Sequence, residues 1–222
     1  MPNKYDYCKQ ICDAAKKMAA MHLVDGTAGN ISVRIPNSDL VAITPTTVPY
    51  DEYTPELMCI VDLDGNLIEG TIPPSSETPM HTMLHKQVGK PIAVIHTHSP
   101  YATTFACLGE PVCALGQEGL GFGQAIVPCT SRYGLPGTDL LGAEVLRIFD
   151  EYPNTHAMLL RNHGNLVFSD TVGSTLELAE YVEFSARMYF QARCIGKPIC
   201  LSDEQINEIN ENYKRMKATT RA

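Results

Sequence analysis

The chain has 222 residues, enough for one domain with a substantial buried core, and its 44% hydrophobic and 19% charged residues argue against a disordered or fibrous protein. A formal charge of −8 argues against a nucleic-acid partner, whose phosphates demand a basic face. No apolar run approaches the ~20 residues of a membrane span and the N-terminus MPNKYDYCKQ lacks an apolar signal-peptide core, so a cytoplasmic protein with no membrane partner is expected. The eight cysteines form no C-x-x-C pair and no dense pattern, which points to reduced core residues rather than a zinc ribbon or disulfide scaffold.

Residues 4–23 place Cys8, Ile11, Ala15 and Met18 at helical spacing, closed by Asp25-Gly26, with His22 as a helix-end residue rather than a ligand. After the turn GTAGN (26–30), Ile31, Val33 and Ile35 alternate with Ser32 and Arg34, a half-buried strand whose neighbour is Leu40 to Ile43. A second turn, TPTT, follows at 44–47. Both turns offer amides, hydroxyls and an Asn side chain, donors that a phosphate dianion accepts without any lysine, although such turns also simply reverse a chain. Met58 to Leu63 and Asn66 to Glu69 flank Asp64-Gly65, which predicts a hairpin with a type I′ turn.

Ser75, Ser76 and Glu77 precede Thr78-Pro79, read as an N-cap with Pro at the first helical position of a helix through Val88. The positive helix end suits both a phosphate and an ionised Glu77. His81 and His85 stand four apart on that helix but lack the H-E-x-x-H pattern, so they are assigned to packing or to support of the site.

Pro91 to Ile95 is short and β-branched, a buried strand, and period 2 puts His96 and His98 on one face. Two imidazoles on one face can share a cation, and a catalytic zinc takes three protein ligands with one position open. His163, which follows the apolar run Ala157 to Leu160 and precedes Gly164, and Glu77 are the candidates to join them; ordinary hydrogen-bonded histidines are the alternative.

Ser99-Pro100 is expected to cap a helix through Leu108, and the glycine-rich residues 110–137 to form loops around a strand from Ala125 to Cys129. Helical spacing then predicts Thr138 to Tyr152 and Asp170 to Cys194, the latter stopped by Gly196 and Pro198, with the strand pair 157–168 between them. Ser202 to Gln205 reads as a capping box opening a last helix, and residues 215–222 as a mobile tail. Alternating helices and short strands make a single α/β or α+β layered domain.

Gly26 to Ser32, Thr44-Pro45-Thr46, Ser75-Ser76-Glu77, His96-Thr97-His98 and His163-Gly164 stand in the order and approximate spacing of one family. On these blocks, from about Tyr5 to Tyr213, the chain resembles the class II aldolase/adducin family, and within it the aldolases that cleave L-fuculose 1-phosphate. The resemblance implies a central, largely antiparallel sheet flanked by helices, assembled as a homotetramer with active sites near subunit interfaces. It implies one zinc held by His96, His98 and His163, with Glu77 as a ligand in the absence of substrate and as general base in its presence. Gly29, Asn30, Thr46, Thr47, Ser75 and Ser76 would hold the phosphate of a ketose substrate, which is cleaved to dihydroxyacetone phosphate and an aldehyde.

The chain departs from that pattern in places. The family has Gly where this chain has Thr47, and its catalytic tyrosine is missing near Gln117-Glu118, which leaves Glu118 or Tyr133 as substitutes. The family's L-ribulose-5-phosphate 4-epimerases carry Asp in place of Glu77 and an acid where this chain has glycines around Gly121. Thr78 to His81 and Pro128 to Thr130 nevertheless echo the epimerases, so epimerase and dehydratase remain alternatives. A non-catalytic, adducin-like assembly domain would lack the histidines present here.

Overall fold

The computed structural model describes residues 3–220, and the side chains of residues 118, 120, 213, 214 and 217–220 lie outside that description. Seven strands form one antiparallel sheet: β1 (Asn30–Arg34), β2 (Leu40–Ile43), β3 (Cys59–Asp62), β4 (Leu67–Glu69), β5 (Ala93–Thr97), β8 (Ala157–Leu160) and β9 (Gly164–Ser169), in the order β4-β3-β2-β1-β5-β9-β8. β6 (Val112–Cys113) and β7 (Ile126–Val127) make a separate two-stranded ribbon. The chain thus has the expected single layered domain with a central antiparallel sheet flanked by helices.

Period 2 along the strands divides the core. Ile31, Val33, Ala93, Ile95 and Val167 face α1 (Lys4–Ala20) and α5 (Val172–Ile195). Val94, Leu166 and Phe168 join Met80 and Leu84 of α2 (Thr78–Val88) with Leu141, Val145 and Ile148 of α4 (Asp139–Glu151) on the other side. The second helical layer corrects the reading of β1 as half-buried: Ser32 is fully buried because α2 covers the polar face of the strand.

Local chemistry corrects other boundaries. The residue that reverses the chain after α1 is His22, at φ 57°, so that helix stops at Ala20, before the Asp25-Gly26 pair. In the β3–β4 hairpin only Gly65 of the Asp64-Gly65 pair takes positive φ (85°), and Gly65 N–H reaches Asp62 O at 3.1 Å. This is a three-residue loop with glycine in the left-handed position, not a type I′ turn. The N-cap of α2 is Glu77, with Thr78 and Pro79 inside the helix, and the Thr78 hydroxyl donates back to Ser75 O at 2.6 Å.

α3 (Pro100–Leu108) starts after Ser99, but the Ser99 hydroxyl points to Asn165 Oδ1 at 3.3 Å instead of capping. Glu183 of α5 replaces it, accepting from Tyr101 N–H at 3.0 Å and Ala102 N–H at 2.9 Å. β6 was not predicted, being two residues inside the glycine-rich stretch, and the expected strand at 125–129 contracts to β7 plus a parallel bridge from Cys129 to Leu159. The capping box at Ser202 and Gln205 opens α6 (Asp203–Thr220), which runs into the stretch expected to be a mobile tail; residues 221–222 lie outside the described residues. Among the described residues no helix is long and apolar enough to cross a membrane, and all eight cysteines are free.

Replacing Glu183 by Ala strands two N–H groups at the start of α3 and is expected to cost about 1–2 kcal/mol, read as a lower urea midpoint with unchanged slope. Glu183→Gln, which keeps an acceptor, should lose less; equal losses would assign the effect to packing.

Candidate active site

β5 is clamped between β1 and β9, with Asn30 opposite His96 on one side and Asn165 opposite Thr97 on the other. His96 Nδ1 lies 2.9 Å from the carbonyl oxygen of Asn165, which can only accept, so the Nδ1 position is protonated and the Nε2 lone pair is free. That nitrogen sits 2.9 Å from His98 Nε2. His163 comes from the turn between β8 and β9, where Asn162 takes φ 55°, and the ligand atoms of the three histidines all lie within 4.8 Å of one another. Glu77 closes the group, with Oε2 3.2 Å from His96 Nε2 and Oε1 3.1 Å from His163 Nε2.

This donor set fits a metal ion. Three imidazole nitrogens and one carboxylate converge, and a tetrahedral zinc with bonds of ~2.0–2.1 Å requires ligand-to-ligand edges of about 3.3 Å. Burial pushes His96 down to about 3, with the Glu77 carboxylate opposing, and burial lowers His98 as well, so both imidazoles are neutral ligands at pH 7. Burial by itself would raise the Glu77 carboxyl. His96, His163 and the Asn30 amide at 3.1 Å outweigh it and hold the group well below the usual carboxylate range.

The phosphate candidates meet beside this cluster. Ser75 N–H donates to Thr44 O and Thr46 N–H to Pro73 O, each at 3.0 Å, which lays 44–46 against 73–75. Thr44 Oγ1 accepts from Ile31 N–H at 3.2 Å, tying in the turn that holds Gly29 and Asn30. The Ser75 hydroxyl accepts from Glu77 N–H at 3.2 Å, while Ser76 is exposed. Thr47 takes φ 57°, a left-handed conformation that favours glycine. The Asn30 side chain is engaged by Glu77 and His81 instead of standing free as a donor.

Tyr133 is 53% exposed on the loop after Thr130, and the Glu118 side chain lies outside the described residues. A cavity of about 470 Å³ lined by His156, Glu177, Tyr181 and Asn207 lies elsewhere and includes none of the cluster residues. Sequence reasoning missed Asn165, whose carbonyl sets the His96 tautomer and whose side chain accepts from Thr97 and Ser99. The available signal was a lone amide in the apolar strand GNLVFS.

Three histidines and a glutamate thus converge at one end of a layered antiparallel sheet, a donor set compatible with a metal-dependent enzyme. A family model described as "Class II Aldolase and Adducin N-terminal domain" matches residues 9–190. The 5-deoxy-D-ribulose 1-phosphate aldolase of Bacillus thuringiensis serovar kurstaki is 34% identical over 206 residues, 93% of this chain and 94% of that one. The L-fuculose phosphate aldolase of Escherichia coli O6:H1 is 33% identical, covering 93% of each chain. A solved L-fuculose 1-phosphate aldolase superposes with a TM-score of 0.87 at 32% identity, over 96% of this chain and 98% of that one. The chain belongs to the class II aldolase and adducin family.

His85 is buried on α2, and burial pushes it down to about 3. Its unfolded value is about 6.5, so between those limits the unfolded chain binds a proton that the folded chain does not, and stability falls as pH falls, by up to ~1.4 kcal/mol per unit. Denaturant titrations of metal-free protein from pH 7 to 4 should show this loss, and His85→Gln should flatten the curve by about that slope. An unchanged slope would place the proton uptake elsewhere.

Proposed function

We propose that the chain is a zinc-dependent class II aldolase that cleaves a short ketose 1-phosphate, such as L-fuculose 1-phosphate or a deoxypentulose 1-phosphate, to dihydroxyacetone phosphate and an aldehyde. The observation behind this reading is the Glu77 carboxylate, seated 3.1 and 3.2 Å from two of three converging imidazoles and directly after the Ser75 and Ser76 hydroxyls. Zinc held by His96, His98, His163 and, in the absence of substrate, Glu77 would polarise the ketose carbonyl and stabilise the charge that develops when the bond beside it breaks.

The protein residues position the substrate and move its protons. Gly29 and Asn30 through their backbone, Thr46 and Thr47, and the Ser75 and Ser76 hydroxyls hold the phosphate at the unreacting end and so fix the C3–C4 bond against the cluster. As that bond breaks, its electron pair passes to the three-carbon fragment and the C4 hydroxyl loses its proton to become the aldehyde. Glu77 takes up a proton from solvent and passes it to C3, completing dihydroxyacetone phosphate, while the C4 hydroxyl proton goes to a separate base. The group at the C4 hydroxyl is assigned to the loop 110–137, with Tyr133 and Glu118 as candidates. A cytoplasmic homotetramer is the assembly we favour, and the exposed Leu135, Leu140, Ile195 and Ile199 support an apolar subunit interface.

Glu77→Gln should fold, keep metal and exchange solvent deuterium into dihydroxyacetone phosphate on the order of 10²–10⁴ more slowly. Exchange at the parental rate would assign the carbon proton to another group.

Identity of the reaction is tested by a substrate panel on protein shown by elemental analysis to hold about one zinc per chain, a content that His96→Ala should abolish. L-fuculose 1-phosphate, 5-deoxyribulose 1-phosphate, L-ribulose 5-phosphate and methylthioribulose 1-phosphate are followed by NMR. Release of dihydroxyacetone phosphate from a ketose 1-phosphate is expected. Interconversion of pentulose 5-phosphates without cleavage would make it an epimerase, and water loss from the methylthio sugar a dehydratase.

A further inference from the structure

Behind Glu77 runs a line of buried polar side chains that the chemistry above does not use: Asn30 and Ser32 on β1, and His81 and His85 on α2. Two residues along a strand and four along a helix bring the pairs face to face. His85 Nε2 lies 2.8 Å from Ser32 Oγ, which lies 2.6 Å from His81 Nδ1; His81 Nε2 contacts Asn30 Oδ1, and Asn30 Nδ2 lies 3.1 Å from Glu77 Oε2.

The direction of this chain is fixed from its end. The Glu77 carboxylate only accepts, so Asn30 must turn its NH2 toward it and its carbonyl oxygen away. That oxygen only accepts, so His81 carries its proton on Nε2 and is an acceptor at Nδ1. The Ser32 hydroxyl therefore donates to His81 and accepts from His85 Nε2–H. No link can be reversed alone without setting two acceptors or two donors against each other.

We propose that His81 and Ser32, backed by His85, are positioning residues that lock the Asn30 amide and through it the Glu77 carboxylate in the orientation for proton transfer. An amide is nearly symmetric in shape, so its two orientations are separated by hydrogen bonding and by little else. Without the Nε2–H of His81 the Asn30 amide is free to turn its oxygen toward Glu77, repelling the carboxylate. The role rests on Glu77 as the proton-transfer group proposed above.

The test uses zinc-loaded full-length protein. Imidazole ¹⁵N spectra of the parent should show His81 and His85 as Nε2–H tautomers at pH 7, and Ser32→Ala should release His85 to a mixture while His81 keeps its proton on Nε2 against Asn30; His81 protonated on Nδ1 in the parent overturns the inference. His81→Leu should keep its metal content and the KM of the parent while deuterium exchange into dihydroxyacetone phosphate falls at least tenfold. His81→Gln, which restores a donor to Asn30, should recover most of that loss. If His81→Leu fails to fold, Ser32→Ala supplies the same reading, with an expected severalfold slower exchange. Parental exchange in the folded variants overturns this inference alone, whereas no exchange in the parent itself removes the role of Glu77 and this inference with it.

Discussion

A carboxylate buried at the first turn of a helix is the constraint around which the site is built. Glu77 is 6% exposed, and removing an unpaired carboxylate from water costs several kcal/mol. The Asn30 amide donates one compensating hydrogen bond, and a cation held by the converging imidazoles would supply the rest. The backbone is tied as well, since Ser75 Oγ accepts from Glu77 N–H and the Thr78 hydroxyl returns to Ser75 O. Consequently α2 has two buried faces of opposite character. Met80 and Leu84 pack into the core with α4, while His81 and His85 meet the polar face of β1, and Arg34 reaches the His85 carbonyl at the helix end.

The strand that carries His96 is positioned by two close backbone approaches. A Cβ on Gly164 would lie 2.3 Å from Thr97 O and 3.1 Å from both His96 Cε1 and His98 Cδ2. A Cβ on Gly29, which also takes φ 82°, would lie 2.8 Å from His96 O. Glycine is therefore required on both sides of β5, and a side chain at either position would separate the strands that set the spacing of the three histidines. Tyr50 reinforces the Gly29 side, its hydroxyl donating to Ala28 O at 2.6 Å.

The legible parts of the sequence were those where one local rule sufficed. Alternation through His96 and His98, the apolar run before His163 and the helical spacing of 138–152 and 170–194 all follow from side-chain period, and the structure contains each. What escaped depended on partners distant in sequence. Burial of Ser32 needs α2, 49 and 53 residues away through His81 and His85, and the cap of α3 needs Glu183, more than 80 residues on. A local pattern cannot distinguish Ser32 facing water from Ser32 facing two histidines. The β6–β7 ribbon escaped for another reason: two-residue strands leave no period to read.

The proposed anion seat would let a chain of net charge −8 accept a phosphate. Its six residues include no lysine or arginine, so binding would rely on backbone N–H groups, hydroxyls and the positive start of α2. A lysine in that position would bind the dianion more strongly in isolation. It would also place a fixed positive charge near His96, His98 and His163, repelling a cation that those imidazoles and Glu77 would hold. Neutral donors avoid this competition, because they gain strength from the phosphate's own charge without adding one. Their weakness is geometric, since each must point inward before the ligand arrives. In the proposed seat Thr47 would bear the cost of that requirement: a β-branched residue held at φ 57°, a conformation worth about 1–3 kcal/mol of strain, keeps the turn in the shape glycine would adopt.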